Sequence, residues 1–340
     1  MRAAIFQRAG EPLVIEQRPD PTPAEGEVVI KVHRCGVCGT DLHMTDGHAP
    51  GFCYPGNSPL GHEFAGEVVA VGPHVERLKV GDRITALPFF GCGRCATCLA
   101  GKPNFCAKFQ GHAAGFAEYM AVKERVATRL PASLSMEDGA LVEPMAVGLH
   151  GVALARLAPG ARVLVIGAGP VGLAAVFWSR RMGAGRIAVT AGSRRREALA
   201  LAMGATQFVL PEPDENLPAL AAEALGGPPD VVFECAGQKD LIAQAINCVR
   251  PSGHVVVLGF CTVADSFIPA IAVWKEVRVQ FAVTYSMAEF AHVADTFDAG
   301  HVEPRAMITD RVSLDALPAA FEALRERSHQ CKLMVDPWSS

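Results

Sequence analysis

A cluster of four cysteines lies in the stretch GCGRCATCLAGKPNFC, with the spacing C-x2-C-x2-C-x7-C: Cys92, Cys95, Cys98 and Cys106. Four thiolates at such short spacings can close a tetrahedron around zinc and leave no coordination position open, which is typical of a structural site. A thioredoxin-like redox motif would instead stand at a strand–helix junction of a different fold. We therefore predict a structural zinc lobe at about residues 91–106.

A second set of possible metal ligands is spread over three motifs, CGVCGTDLH, GHEFAGEV and LVEPMAVGLH. A catalytic zinc takes about three ligands from cysteine, histidine and carboxylate side chains and keeps one position open. Cys38 offers a thiolate and His62 an imidazole, while Glu63 and Glu143 are both candidates for the carboxylate. These residues predict a catalytic metal site.

The stretch VLVIGAGPVG carries the pattern G-x-G-x-x-G at Gly167, Gly169 and Gly172, with Pro170 and Val171 between the last two glycines. It follows an apolar strand and opens a helix, which is the context of a dinucleotide-binding turn. The glycines allow a tight turn, a close approach of the backbone to a pyrophosphate and close packing of helix against strand. Free N–H groups at the start of the helix would face the phosphates.

The end of the next strand, VTAGSRRRE, indicates which dinucleotide binds. Sites for NAD place a carboxylate here, which binds the ribose 2′-hydroxyl. This chain has Ala191 and Gly192, which leave room for a 2′-phosphate. Ser193 can hydrogen-bond that phosphate, and Arg194, with Arg195, can pair with it through charge-assisted bonds. The sequence therefore predicts NADP(H) over NAD(H).

The elements that carry these residues change character along the chain. Short strand-like runs rich in valine and isoleucine fill the first third, and from about Pro159-Gly160 apolar strands alternate with helices. Such alternation predicts a parallel sheet covered by helices on both faces. The fold class is therefore α/β plus β.

Taken in order, the motifs CGxCGTDxH, GHE, the four-cysteine cluster, EP and GxGxxG resemble the zinc-dependent medium-chain dehydrogenase/reductase family. The pattern is most similar to the branch of polyol, threonine and butanediol dehydrogenases, and it covers almost the whole chain. The resemblance implies a GroES-like β-barrel catalytic domain in residues 1–147 and 286–340. It also implies a Rossmann domain, with a doubly wound parallel sheet, in residues 148–285.

The resemblance also implies roles for the possible ligands. Cys38 and His62 would bind the catalytic zinc. Glu63 would be the third ligand or would exchange with water. Glu143, where other branches have a cysteine ligand, would bind directly or through water.

Three further residues receive roles from the resemblance. Thr40 would contact the substrate hydroxyl, Asp41 would orient His62, and His43 would pass the proton to solvent. The implied activity is transfer of a hydride between NADP(H) and a secondary alcohol, diol or polyol, with a ketone as substrate of the reverse reaction. Two zinc ions would be bound per subunit, one catalytic and one structural.

Composition limits the possible partners. The 340 residues are 50% hydrophobic with a net charge of −4, which favours neither nucleic acid nor an anionic membrane. We expect a cytoplasmic protein, and relatives of this kind suggest a homotetramer or a homodimer. Three alternatives remain open: a metal-independent quinone or enoyl reductase, a non-enzymatic NADPH-binding protein and a zinc-finger-like binding module.

Overall fold

A computed structural model of the protein describes residues 1–47, 53–111, 113–212, 215–326 and 329–339. Eighteen strands lie within the described residues: β1 (Arg2–Phe6), β2 (Val14–Gln17), β3 (Glu27–Gly36), β4 (Ser58–Pro59), β5 (Glu63–Val71), β6 (Arg83–Ala86), β7 (Phe89–Phe90), β8 (Gln110–Gly111), β9 (Tyr119–Lys123), β10 (Ala127–Arg129), β11 (Arg162–Ile166), β12 (Arg186–Thr190), β13 (Gln207–Val209), β14 (Val231–Glu234), β15 (His254–Val257), β16 (Arg278–Phe281), β17 (Ile308–Ser313) and β18 (Lys332–Asp336).

Ten α-helices connect or cover these strands in the same described residues: α1 (Gly39–His43), α2 (Ala96–Leu99), α3 (Met136–Ala155), α4 (Pro170–Arg181), α5 (Glu197–Ala202), α6 (Leu217–Leu225), α7 (Leu241–Cys248), α8 (Pro269–Trp274), α9 (Met287–Asp298) and α10 (Leu317–Ala323). Short 3-10 helices span Pro103–Phe105, Glu124–Val126, Arg194–Arg196 and Glu303–Met307.

Contacts divide the chain into two compact units. One unit, here called the mixed-sheet unit, comprises Met1–Glu143 and Ser286–Ser340. The other, here called the parallel-sheet unit, is Pro144–Tyr285. The first boundary predicted from the sequence, between residues 147 and 148, and the boundary in the structure, between residues 143 and 144, both lie within helix α3. The second predicted boundary, between residues 285 and 286, coincides with that of the structure.

The mixed-sheet unit is built around a seven-stranded sheet with the order β10-β6-β5-β3-β18-β17, in which β9 also pairs with β3. The core of this unit is apolar and buried, and it includes Ile30 and Phe64 of the sheet and Phe321 of α10. The long pairing of β3 with β5 is antiparallel and sets Gly36 opposite Glu63. Since β18 pairs with β3 on its other edge, residues from both ends of the sequence meet in this sheet.

The parallel-sheet unit holds six parallel strands in the order β13-β12-β11-β14-β15-β16. Its central strands are buried along nearly their whole length, as expected of a sheet covered on both faces. The chain runs outward from β11 in one direction and then from β14 in the other. In sheets of this kind ligands bind where the strand order reverses, at the carboxyl ends of those two strands.

Helix α3 was not expected from the sequence. It runs through Gly139, Gly148 and Gly151 and contains Pro144, residues that disfavour a helix interior. A side chain at Gly148 would clash with Ala174 of α4, so the two helices pack closely in the parallel-sheet unit. Among the described residues, no helix has the length and apolar character needed to cross a membrane.

Candidate metal centre and dinucleotide site

The ligand atoms of Cys38, His62 and Glu63 lie within 4.8 Å of one another. Two paired strands bring them together: Cys38 follows β3 as the N-cap of α1, His62 immediately precedes β5, and Glu63 is the first residue of β5. Gly36 lies opposite Glu63, and a side chain there would clash with the Glu63 Oε2 atom. The close approach of the carboxylate to the end of β3 therefore requires glycine.

Asp41 joins the thiol and the imidazole of this cluster. The Cys38 N–H donates to Asp41 Oδ2 at 3.1 Å, and Asp41 Oδ1 lies 3.1 Å from His62 Nδ1. Asp41 is fully buried, and if its carboxylate accepts a hydrogen bond from Nδ1–H, the other ring nitrogen of His62 would be available to a metal. Burial lowers the pKa of His62, but the Asp41 charge and hydrogen bond outweigh it and raise that pKa.

The remaining residues predicted on this segment lie on α1. The Thr40 N–H donates to Cys38 Sγ at 3.4 Å. Thr40 and His43 are half-buried, and both are on the one-turn helix that Cys38 caps. Their roles in proton transfer stay predictions.

Glu63 has a buried partner that the sequence analysis missed. Lys332, the first residue of β18, donates from Nζ to both carboxylate oxygens of Glu63 at 2.6 Å and to the Val37 carbonyl at 2.9 Å. Both side chains of the ion pair are only 1% exposed. Burial lowers the pKa of Lys332, but the charges of Glu63 and Cys38 outweigh it and raise that pKa, so the lysine is a cation.

Glu143 lies in a different position from the other predicted ligands. It is 7% exposed, on α3, and is not one of the three residues whose ligand atoms lie within 4.8 Å of one another. Its charge contributes to the raised pKa of Lys332. Within the part of the chain that the structure describes, three of the four predicted ligands of the catalytic zinc therefore lie in one cluster, and Glu143 lies outside it.

The four clustered cysteines also converge. The sulfurs of Cys92, Cys95, Cys98 and Cys106 lie within 4.8 Å of one another, and none of these cysteines forms a disulfide. Helix α2 and the 3-10 helix Pro103–Phe105 fold this stretch back on itself. The Thr97 hydroxyl and the Cys98 N–H lower the pKa of Cys95 to about 6, which favours a thiolate there.

The predicted dinucleotide turn follows β11 and enters α4 at Pro170. Gly167 has a φ of +106°, which only glycine adopts easily, and a side chain at Gly172 would clash with the Gly167 carbonyl oxygen. A Cβ on Gly169 would lie 3.8 Å from Arg196 Nη1 and closer to nothing else outside its chain neighbours in the described residues. The turn therefore has the backbone geometry that the glycine pattern predicts.

In the loop after β12, the contacts that the arginine side chains make differ in part from those predicted. Arg194 Nη1 donates to the Glu197 carboxylate at 2.9 and 3.0 Å, and its side chain is 58% exposed. Arg196, to which the sequence analysis gave no binding role, is half-buried and donates to the Ala168 carbonyl at 3.4 Å. Arg196 thus brings a guanidinium to the glycine turn.

Comparisons with known proteins identify the class. Residues 24–132 match the alcohol dehydrogenase GroES-like domain, and residues 170–299 match the zinc-binding dehydrogenase family. The chain is 33% identical to sorbitol dehydrogenase of Bacillus subtilis (strain 168), covering 99% of this chain and 97% of the relative. It is 35% identical to (R,R)-butanediol dehydrogenase of the same organism, covering 99% and 100%.

Solved structures agree with these matches. The crystal structure of 2R,3R-butanediol dehydrogenase from Bacillus subtilis superposes with a TM-score of 0.88 at 33% identity, covering 99% of both chains. A Sinorhizobium meliloti 1021 protein described as a zinc-binding dehydrogenase, and bound to NADP, has a TM-score of 0.88 at 32% identity, again covering 99% of both.

The chain therefore belongs to the zinc-type medium-chain alcohol and polyol dehydrogenase family. The predicted fold class, a Rossmann sheet domain with a GroES-like domain, is confirmed.

The buried Lys332–Glu63 pair yields a stability prediction. Lys332→Met should lower the free energy of unfolding of the metal-free protein by about 3 kcal/mol, because it leaves a buried carboxylate without its cation. The double variant Lys332→Met/Glu63→Leu should recover most of that loss, because the unpaired charge is gone. Urea unfolding in the presence of a chelator measures both.

The pair of Arg129 and Asp82, 3.2 Å apart and with an arginine side chain that is 59% exposed, offers the control. Arg129→Met should cost less than about 1 kcal/mol. A Lys332→Met protein as stable as this control would contradict the importance of the buried pair.

Proposed function

We propose that the chain is a zinc- and NADP(H)-dependent alcohol dehydrogenase or carbonyl reductase, which interconverts a secondary alcohol, diol or polyol and its ketone. The observation that carries this proposal is the convergence of Cys38, His62 and Glu63, with Asp41 buried behind the histidine. In a member of this family, that arrangement supports a catalytic metal centre.

Two donor sets suit zinc in different ways. Cys38, His62 and Glu63 would hold the catalytic ion, and this mixed set of three ligands leaves a coordination position for substrate. Glu143 would serve directly or through water. The four-cysteine set would hold a structural ion, since four thiolates leave no position open.

When bound, the zinc supplies a Lewis acid for the substrate oxygen, and the nicotinamide supplies the hydride acceptor or donor. The chain's own residues manage the proton and the ligand geometry. Asp41 holds a proton on His62 Nδ1, which fixes the tautomer that leaves the other nitrogen free. Thr40 would accept the substrate proton and His43 would pass it to solvent, since both lie on the short helix α1 that Cys38 caps.

NADP(H) is favoured by the loop after β12. No carboxylate stands at Ala191, so nothing at that position would repel a 2′-phosphate. Arg194 is exposed and pairs with Glu197 through a short i,i+3 contact, so its guanidinium can turn toward a phosphate. Arg196 adds a positive charge beside the glycine turn.

The substrate class follows from the similarity to sorbitol and butanediol dehydrogenases, which act on a polyol and a diol by name. Reduction of a ketone by NADPH is as compatible with the site as oxidation of the alcohol.

We also propose a homo-oligomer, either a dimer or a tetramer. Strand β16 is an outer strand of the parallel sheet, and Phe281 at its end is 69% exposed. Trp274, at the end of the preceding helix α8, is 91% exposed, and Ile268 before that helix is 65% exposed. Exposed apolar side chains on and beside an outer strand fit a second copy of the chain across a twofold axis.

Metal content measured together with turnover tests the enzyme assignment. Wild-type protein should contain two zinc ions per chain by mass spectrometry and should reduce members of a ketone panel with NADPH. Cys38→Ser should keep one zinc and lose nearly all turnover. Cys248→Ser, at a buried cysteine outside both clusters, is the matched control and should keep both ions and activity.

Other outcomes of that experiment point elsewhere. Full activity in Cys38→Ser would contradict the metal mechanism. Turnover without zinc would favour the metal-independent reductase, and cofactor binding without turnover of any substrate would favour the non-enzymatic protein.

Kinetics with both dinucleotides test the cofactor. Arg194→Ala should weaken NADPH binding about tenfold, the effect of one charge-assisted hydrogen bond, and should leave NADH binding nearly unchanged. Ala191→Asp should shift the preference toward NADH, since a carboxylate repels the 2′-phosphate. Arg181→Ala, at the far end of α4, removes an equal charge as control. A clear wild-type preference for NADH would refute the assignment.

Sedimentation velocity tests the oligomer. Wild-type protein should sediment as a dimer or tetramer at micromolar concentration, and Phe281→Asp should shift it toward monomer because a charge would be buried at the interface. Val80→Asp, at an apolar side chain 60% exposed elsewhere, should change nothing. A monomeric wild type would rule the oligomer out.

A further inference from the structure

Glu234 is a buried carboxylate that is neither one of the predicted zinc ligands nor one of the residues predicted to contact the dinucleotide. It is the last residue of β14 and is 1% exposed. Strand β14 pairs with β11, and the strand order reverses between these two strands. Glu234 therefore stands at the carboxyl end of the sheet, where a dinucleotide is expected to bind.

The side chain and the main chain of Glu234 hold two different loops. Its Oε1 atom accepts the N–H groups of Ala236 and Gly237, both at 2.8 Å, in the loop after β14. Its main-chain carbonyl accepts the N–H groups of Leu258 at 2.7 Å and Gly259 at 2.9 Å, in the loop after β15. One residue thus fixes both loops relative to the sheet.

These loops also touch each other and the glycine turn. A Cβ on Gly237 would lie 2.6 Å from the Phe260 nitrogen, and one on Gly259 would clash with the Glu234 carboxylate. A Cβ on Gly167 would lie 3.0 Å from the Ala236 nitrogen. Gly167, the first glycine of the dinucleotide turn, therefore packs against Ala236, and the Ala236 N–H group donates to Glu234.

A carboxylate in this place is costly. No cation faces it among its described partners. Burial raises the pKa of Glu234, the N–H groups of Gly237 and Ala236 oppose that shift, and the charge of Asp265 adds to it. An apolar side chain of similar volume would fill the space without this desolvation cost, so packing alone does not call for a carboxylate.

We propose that Glu234 is a positioning residue for the dinucleotide, which holds the loops after β14 and β15 so that the glycine turn is preformed before the cofactor binds. The inference rests on the proposed function, because it takes the ligand of this turn to be a nicotinamide dinucleotide. A turn already in its bound conformation binds more tightly, since less ordering is needed on binding.

The test compares two variants at opposite ends of β14. Glu234→Met keeps the side-chain volume and removes the acceptor. Asp230→Asn disturbs the amino end of the strand, where Asp230 accepts from Arg250 Nε at 2.6 Å and from the Arg162 N–H at 2.9 Å. Dissociation constants for NADPH and NADH, urea midpoints and amide hydrogen exchange are measured for both variants and for wild type.

Glu234→Met should weaken binding of the preferred dinucleotide about tenfold, as expected for the loss of one or two hydrogen bonds, with a urea midpoint close to wild type. Exchange at residues 167–169 and 236–237 should become faster. Asp230→Asn should lower the urea midpoint and leave dinucleotide affinity unchanged. Glu234→Gln, which keeps an oxygen acceptor, should recover much of the affinity.

Unchanged exchange at residues 167–169 and 236–237 of Glu234→Met would overturn the inference, as would a loss of affinity matched by Asp230→Asn. The exchange measurement needs no cofactor. A wild-type protein that binds neither dinucleotide would therefore refute the proposed function, while the exchange result would still decide the role of Glu234.

Discussion

The antiparallel pairing of β3 with β5 is the constraint on which the candidate metal centre depends. It sets Gly36 opposite Glu63, and with that register the thiol beyond the end of one strand meets the imidazole and carboxylate at the start of the other. Side chains alternate between the faces of a sheet, so a shift of one residue would turn Glu63 to the opposite face. Strand β18 then places Lys332 beside the same carboxylate.

The two cysteine-containing sites differ in what supports them. The four-cysteine cluster lies on a short stretch whose sulfurs are held by nearby backbone, such as the Cys92 N–H that donates to Cys106 Sγ at 3.3 Å. The Cys38 cluster depends on a sheet, on a buried aspartate and on a buried lysine–carboxylate pair. A centre supported by so many distant groups can have its charge and ligand geometry adjusted by residues that never touch the metal.

Much of this arrangement could be predicted because its signals are local. The spacing of the four cysteines, the GHE motif and the glycine turn each lie within a few residues, and each requires particular side chains. Lys332 could not be predicted, because a lysine at the start of an apolar strand looks like an ordinary solvent-exposed end. Helix α3 was missed since it is apolar on all sides and contains Pro144, so it lacks the 3.6-residue periodicity that marks a helix. Arg196 is one of three consecutive arginines, and only the fold distinguishes which of them turns inward.

The Lys332–Glu63 pair spans 269 positions of the sequence, whereas the contact between Cys92 and Cys106 spans 14. Proteins are synthesised at roughly 5–20 residues per second. Cys106 is therefore made roughly one to three seconds after Cys92, whereas Lys332 is made roughly 13–54 seconds after Glu63. The cysteine lobe can therefore be complete while the partner of Glu63 has yet to leave the ribosome. Until then the Glu63 carboxylate lacks its cation. The newly made chain therefore passes through a period in which the four-cysteine lobe can be complete and the cluster of Cys38, His62 and Glu63 cannot.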